Sequence, residues 1–379
     1  MLQGIHVQLM IGPTIPAPVP GPIIDALERI EVTHRDQGRS GFSLAFRVEG
    51  NAPAGVAAAA LAASPLFSVF NRIILTIIIN GMPHALMDGI ITSQDLEPGG
   101  QPGSLLLTLT GEDISLMLDR EEKSVEHPGL DETLIAYRII GSYPEYGLIP
   151  AVFPPVFIDP PLPTERIPVQ QTTDLRYLQA LAARHAYVCY ITPGPAPFTN
   201  TCYWGPPIRA GIPQPALSVN MGTHSNVDSI SFQHNALEAE MVSGRVQDRT
   251  TNQVFPVQTF ASTRIPLASL PDWAIHRRHI RSTRLRQQGL NFPQAMARAQ
   301  AETDRSMDRV VTASGEVDTV RYGSLLSPRG LVGLRGAGAL HDGLYYVSQV
   351  THTITRGSCK QRFLLAREGL GTTIPVVRT

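Results

Sequence analysis

Apolar and polar side chains alternate through residues 25–50, DALERIEVTHRDQGRSGFSLAFRVEG, on both sides of a turn at residues 36–41. A period of two predicts a β-hairpin with one face buried. Asn80-Gly81 signals a second hairpin between the β-branched run of residues 72–79 and MPHALMDGIITSQDL, because Asn-Gly suits the positive-φ positions of a type I′ turn. SLLLTLTGED at 104–113 supplies another strand, and the Ala-rich residues 52–63 read as a linker or short helix. Residues 1–113 are therefore expected to form a first small antiparallel β-barrel domain.

The pattern changes at Asp113. DISLMLDREEK reads as helical with Asp113 as its N-cap, and DETLIAYRIIGSYPEYG continues with apolar Leu134, Ile135, Tyr137, Ile139 and Ile140. Beyond a Pro-rich connector at 144–168, TTDLRYLQALAARHAYVCYITPG sets Leu175, Leu178, Leu181 and Ala182 on one helical face and runs into a strand at 186–191. A second Pro/Gly stretch closes this α/β domain, residues 114–215. Strand patterning returns over 216–265, with a turn at 248–252, as the first part of a second β-barrel domain. A polar, helix-prone insertion occupies 266–312, and 313–379 completes the second barrel and the C-terminal tail. The expected fold class is mainly β with α+β insertions: two small antiparallel β-barrel domains, an α/β side domain and a helical insertion. No short-period repeat is visible.

Composition adds one inference. Hydrophobic residues make up 43% and charged residues 17%, below the roughly 25% charge of ordinary soluble domains, so much of the surface is expected to lie against partners. Net charge is -1, which provides no overall field for nucleic acid or an acidic membrane. Lys123 and Lys360 are the only lysines; every other cation is arginine, a residue suited to interfaces. Cys189, Cys202 and Cys359 lack CxxC spacing, and an odd count argues against a disulfide framework. The N-terminus has no basic region before its Pro-broken apolar run, and the apolar IILTIII at 73–79 is far too short for a membrane helix. The expectation is a soluble protein, not secreted by a signal peptide, with no membrane partner.

Candidate chemistry is sparse. RGLVGLRGAGALHDG at 329–343 is rich in glycine, but it lacks the third glycine of a dinucleotide fingerprint and the Gly-Lys-Ser/Thr of a Walker loop, and a strand follows it. It reads as hairpin turns. His341 and His352 lack any metal-ligand spacing, and His352 alternates onto an apolar face with Val350 and Ile354. The basic run at 276–286 reads as an Arg-rich helix, with phosphate contact as its functional alternative. Asp113, Asp119, Glu121, Glu122, Glu126, Asp131 and Glu132 could supply a glycoside hydrolase pair, or simply flank helices. Tyr203 and Trp204 are open to two readings, core plug or interface anchor. No G-x-S-x-G motif occurs. No catalytic, cofactor-binding or metal residues are assigned.

The C-terminal block carries a resemblance. GEVDTVRYG (315–323), RGLVGLRGAG (329–338), DGLYYV (342–347), VTHTI (350–354) and FLLAREG (363–369) resemble the phage late-control D-protein family, and more narrowly the baseplate hub of phage-tail-like contractile injection systems. TDLRYL (173–178), YWGPP (203–207) and QPAL (214–217) fit the same family's middle region. The resemblance implies a homotrimeric hub in which two β-barrels per subunit make a six-fold-like ring, adapting a three-fold spike below to a six-fold inner tube above. It implies contacts with other baseplate components, no catalytic residues, no cofactor and no nucleic acid, and assembly in the cytoplasm into an injection particle or virion. VgrG-type relatives continue into an OB domain and a spike, whereas this chain ends shortly after its Arg-Glu-Gly motif, so the spike is expected to be a separate protein. The alternative is a tail-associated peptidoglycan or glycan hydrolase.

Overall fold

In a computed structural model of the chain, residues 5–49, 64–79, 81–98, 104–157, 167–194, 196, 198–248, 251–287 and 289–374 are described. The first seven strands are β1 (Ile5–Gly12), β2 (Ala17–Pro18), β3 (Leu27–Arg35), β4 (Gly41–Glu49), β5 (Arg72–Ile79), β6 (Met82–Pro98) and β7 (Ser104–Asp113). Alternation makes β3 and β4 a hairpin, with Ile30, Val32, Leu44 and Phe46 buried and Glu31 and Ser43 outward. β5 and β6 close through Ile79 opposite Met82, and Gly81 takes the positive φ that the turn demands (80°). Asn80 and the Ala-rich residues 52–63 lie outside the described residues. β5 and β1 fold back over β3, β4 and β7, so that Leu9, Ile11, Ile73, Leu75 and Ile77 share one core with Ile30, Leu44, Phe46 and Leu107.

After Asp113 the structure departs from the expected helix. Ile114–Asp119 is a 3-10 turn, capped by Asp113, and β8 (Glu122–Glu126) follows. Ile114, Ser115, Leu116 and Leu118 are all buried, so the turn is enclosed on several sides and lacks the one apolar stripe of an amphipathic α-helix. α1 (Glu132–Ile140), capped by Asp131, buries Ile135, Ala136, Ile139 and Ile140 and leaves Leu134 and Tyr137 exposed. The Pro-rich connector holds an unanticipated strand, β9 (Leu148–Val152). β10 (Val169–Thr173) pairs with β8, and α2 (Asp174–Ala183) buries Leu175, Leu178, Leu181 and Ala182 as their spacing required. β11 (Val188–Pro193) pairs antiparallel with β12 (Asn200–Gly205), which in turn lies parallel to β9.

The rest of the chain adds β13 (Gln214–Ser218), β14 (Val227–His234), β15 (Glu240–Gln247), β16 (Val254–Gln258), β17 (Leu270–Pro271), β18 (Arg281–Arg284), α3 (Phe292–Met307), β19 (Val311–Asp318), β20 (Leu331–Arg335), β21 (Gly343–Thr355), β22 (Ser358–Arg367) and β23 (Gly369–Leu370). β15 and β16 pair with each other as the pattern predicts, but they join β18 in a separate sheet rather than the large one. α3 covers that sheet through Ala295 and Ala299 on Val242, Val246 and Val257, and starts at a capping box made by Asn291 and Gln294. The Arg-rich run at 276–286 is not the expected helix: it is a turn leading into β18, because Ile280 is the lone apolar residue before Leu285 and nothing repeats at helical spacing.

One large sheet spans both ends of the chain, in the order β14-β19-β22-β21-β3-β4-β7-β6-β5-β1-β2. From β14 to β6 every pairing is antiparallel. Those eight strands are two units of four. In the first unit, β3-β4-β7-β6, the chain visits positions first, second, fourth and third; in the second, β14-β19-β22-β21, it does the same. The molecule is mainly β, as expected, but β14 and β2 each pair on one side only among the described residues, so the ladder is open rather than a closed barrel.

Candidate assembly surface

The face of the eight strands turned away from the cores is mostly polar, although Ala45, Leu106 and Leu364 also lie on it. One register line crosses seven strands through Asp318, Lys360, Thr353, Glu31, Ser43, Thr110 and Ser93. Charges on this face answer one another: Lys360 Nζ and Arg362 Nε lie 2.7 and 3.1 Å from the Glu316 carboxylate, and Arg29 lies 2.7 Å from Glu31. Hydroxyls fill the rest, with Ser231 Oγ 2.9 Å from Ser314 Oγ and Thr33 Oγ1 3.0 Å from Thr351 Oγ1. Exposed pairs of this kind add little stability each; their consequence is a wide, wet, nearly neutral surface.

The two units meet where β3 pairs with β21, from Arg29 opposite Thr355 to Arg35 opposite Gln349. Arg329 locks this seam from beneath. Its guanidinium donates to Arg35 O (2.7 and 3.0 Å), Ser40 Oγ (3.0 Å), Ile191 O (3.0 Å) and Thr192 Oγ1 (2.8 Å), and lies 3.9 Å above the Tyr190 ring. One side chain thereby ties both units to the β11 region. His34 and His352 meet edge to face in the same seam, 5.6 Å apart. Burial holds His352 down at about 4, and burial, His352 and Arg329 hold His34 well below the usual imidazole value. Gln361 Nε2 lies 3.1 Å from His352 Nδ1.

The residues singled out for chemistry fall into structural roles and are not brought together. In the glycine-rich stretch, Gly336 and Gly338 adopt positive φ in the turns between β20 and β21, and a Cβ on Gly336 would lie 2.0 Å from Val219 O. His341 stacks on Phe232 (4.3 Å), and Asp342 accepts from the Ala337 amide (2.8 Å). Trp204 is fully buried and donates to Leu178 O (3.1 Å), which decides for the core plug. Of the acidic run, Asp113 and Asp131 are caps and Asp119 pairs with Arg39. Burial opposes ionisation of Glu132, but His185, Arg298 and Arg184 outweigh it and hold its carboxyl at about 2. Glu132 borders a cavity of about 180 Å³ between α1, α2 and α3.

Arg329 and the Arg367-Glu368-Gly369 corner fall in stretches that carry the sequence resemblance, but nothing in the sequence gives their partners. Arg367 donates to Leu340 O (2.6 Å), Gly371 O (3.0 Å) and Asp342 O (3.1 Å). Glu368 accepts from Leu267 N and Ala268 N, both at 2.6 Å, and from Arg209 (2.7 Å). A Cβ on Gly369 would sit 2.2 Å from Leu270 O. Among the described residues no three His, Cys, Asp or Glu side chains are placed to hold a metal ion, and no helix is long and apolar enough to cross a membrane.

No protein-family model matches the sequence, and no curated protein matches it. The fold is shared with solved structures. A tail protein from Neisseria meningitidis MC58 aligns over 97% of this chain and 98% of its own, with TM-score 0.65 and 14% identity. The 43 kDa tail protein of prophage MuSo2 from Shewanella oneidensis aligns over 96% and 98%, with TM-score 0.62 and 13% identity. An Escherichia coli component of the type VI secretion system, described as structurally similar to the T4 bacteriophage tail proteins gp27 and gp5, aligns over 93% and 77%, with TM-score 0.52 and 10% identity. The chain therefore has the fold of phage tail and type VI secretion proteins.

Proposed function

We propose that this chain is a structural baseplate hub subunit of a phage tail or contractile injection system, that three copies form a ring, and that the ring adapts a three-fold spike to a six-fold inner tube. The doubled strand order carries this reading: a subunit built of two four-stranded units with one topology offers, in a trimer, six near-equivalent units around one axis. A six-fold neighbour can then meet six similar surfaces and a three-fold neighbour three identical subunits. The tail-protein fold supports the same reading. In this reading the four-stranded unit within residues 1–113 and the one formed by 227–234 and 311–367 build the ring, 114–215 is a side domain, and the body of β15, β16, β18 and α3 is an insertion between β14 and β19.

The partners are two further copies, a separate spike protein, the inner tube protein and other baseplate components, assembled in the cytoplasm into a particle. Catalysis forms no part of this role: of the carboxylates a hydrolase could use, Asp113 and Asp131 are caps, Asp119 and Glu132 are held by arginines, and Glu121, Glu122 and Glu126 stand on an exposed strand edge. Light scattering on the purified chain, alone and mixed with its spike and tube proteins, tests the proposal. The expected mass is about three times 41.2 kDa, or incorporation into a larger particle. A monomer that joins neither partner sinks it, and turnover of cell wall by the isolated chain, lost on replacing Glu132, would establish the hydrolase instead.

A further inference from the structure

Two small sheets end in strands of opposite charge. β18 pairs only with β15, and β8 only with β10, among the described residues. Each therefore presents an outer edge of backbone groups able to take another strand. β18 and its flanks carry Arg277, Arg278, Arg281, Arg284 and Arg286, all exposed. Arg281 reaches Glu240 at 3.3 Å and Arg277 lies over the Phe260 ring, but Arg278 and Arg284 make no ion pair among the described residues. β8 and the residue before it expose Glu121, Glu122 and Glu126, likewise outside any ion pair there. The edges also match in length, four residues against five.

We propose that β18 of one copy adds edge to edge to β8 of a second copy. Arg281 and Arg284 alternate to opposite faces, so one of them is set beside Glu122 and Glu126 on one face of β8 and the other beside Glu121 on the opposite face, where Lys123 is already held by Asp174. Charge keeps each edge from pairing with its own kind, and opposite charge on the other edge makes this pairing selective. Because the two patches differ, the contact is head-to-tail, the kind that closes into a ring when its rotation allows; in that respect it rests on the ring reading above. A peptide edge also explains the strand better than a nucleic acid does. A neighbouring strand uses both the amides and the carbonyls of β18, whereas phosphates use donors only. Trp273, the one indole near the arginines, packs against the core of the second unit instead of offering a stacking platform.

Charge reversal tests the contact on the full-length chain. Sedimentation over a dilution series gives the concentration at which the wild-type oligomer half-dissociates, and thermal melts confirm that each variant is folded. Arg281→Glu with Arg284→Glu, and separately Glu121→Arg with Glu122→Arg, one position on each face of its strand, should each raise that concentration at least about tenfold. The four-fold variant, in which both edges are reversed and complementary again, should return to within about threefold of wild type. A wild-type chain that is monomeric throughout overturns the ring reading itself. An oligomer indifferent to either charge reversal, or disturbed by both without rescue in the four-fold variant, leaves that reading standing and overturns this contact. Loss of binding to a short oligothymidylate in the Arg281→Glu, Arg284→Glu chain, with assembly unchanged, assigns the arginines to nucleic acid and overturns it as well.

Discussion

The two four-stranded units share a strand order but reach it differently. The first is nearly continuous in sequence, from Leu27 to Asp113, and its own chain extends the sheet through β5 and β1. In the second, β14 and β19 are separated by β15, β16, β18 and α3, a body with its own core. Both nevertheless solve the same packing problem between their second and third positions with a glycine facing a phenylalanine across the ladder. Phe42 on β4 opposes Gly111 on β7, whereas Gly315 on β19 opposes Phe363 on β22. The position is kept and the residues are exchanged. A sheet fixes which side of each strand is buried and where an aromatic ring needs room; it does not fix which strand supplies the ring.

Acid should disturb the junction between the units most. Unfolded histidines titrate near about 6.5, while His352 in the seam is held at about 4 and His34 is lowered too. Between those values the unfolded chain binds more protons, so the contribution is complete above about pH 6.5 and is lost as pH falls toward 4. For His352 alone the loss is roughly 3 kcal/mol. Burial pushes the Asp36 and Asp113 carboxyls up, which acts in the opposite sense, so the informative quantity is the difference between wild type and His352→Gln. Urea midpoints at pH 7 and 4.5 should fall less in the variant. Equal falls would mean that the acid sensitivity lies inside one unit and that the seam is no weaker than the units it joins.

The glycine pairs give the next effect. A Cβ on Gly111 would lie 2.2 Å from Ile90 O and 2.3 Å from the Phe42 ring; on Gly315 it would lie 2.3 Å from Ser229 O and 2.6 Å from the Phe363 ring. Gly111→Ala and Gly315→Ala should each destabilise the fold by about 2 kcal/mol, measured by chemical unfolding. A large loss in one unit and none in the other would break the equivalence of the two pairs.

Much of this architecture is legible in the sequence wherever a strand has one wet face. β3, β4, β7 and β14 announce themselves by alternation, α2 by Leu175, Leu178 and Leu181, and α3 by the helix-prone composition of its segment. β9 and β12 do not, because proline and glycine on either side disguise short strands whose neighbours come from elsewhere in the chain. Two β-rich parts are expected from the pattern, but their common strand order is invisible for the reason the glycine pairs make plain, and because a long insertion separates β14 from β19. The polar face needs the register of seven strands before its residues line up, and the role of Arg329 cannot be read at all: its acceptors are two backbone carbonyls and two hydroxyls, on residues as distant as Arg35.

The smallest effect should come from the polar face itself. Thr33 and Thr351 exchange a hydroxyl hydrogen bond across the seam, and their backbones are already fixed by the ladder on either side. A half-exposed hydrogen bond of this kind is worth about 0.5–1 kcal/mol, and valine offers the same branched shape with a comparable strand preference. Thr33→Val with Thr351→Val should therefore shift thermal unfolding only slightly. If the face is the wet inner surface of a ring, the pair should also leave the assembled mass unchanged, because no protein covers it. A change in oligomer mass with the melting temperature intact would mean that this face is an interface instead, and that the two units turn their edges, rather than their polar faces, toward solvent.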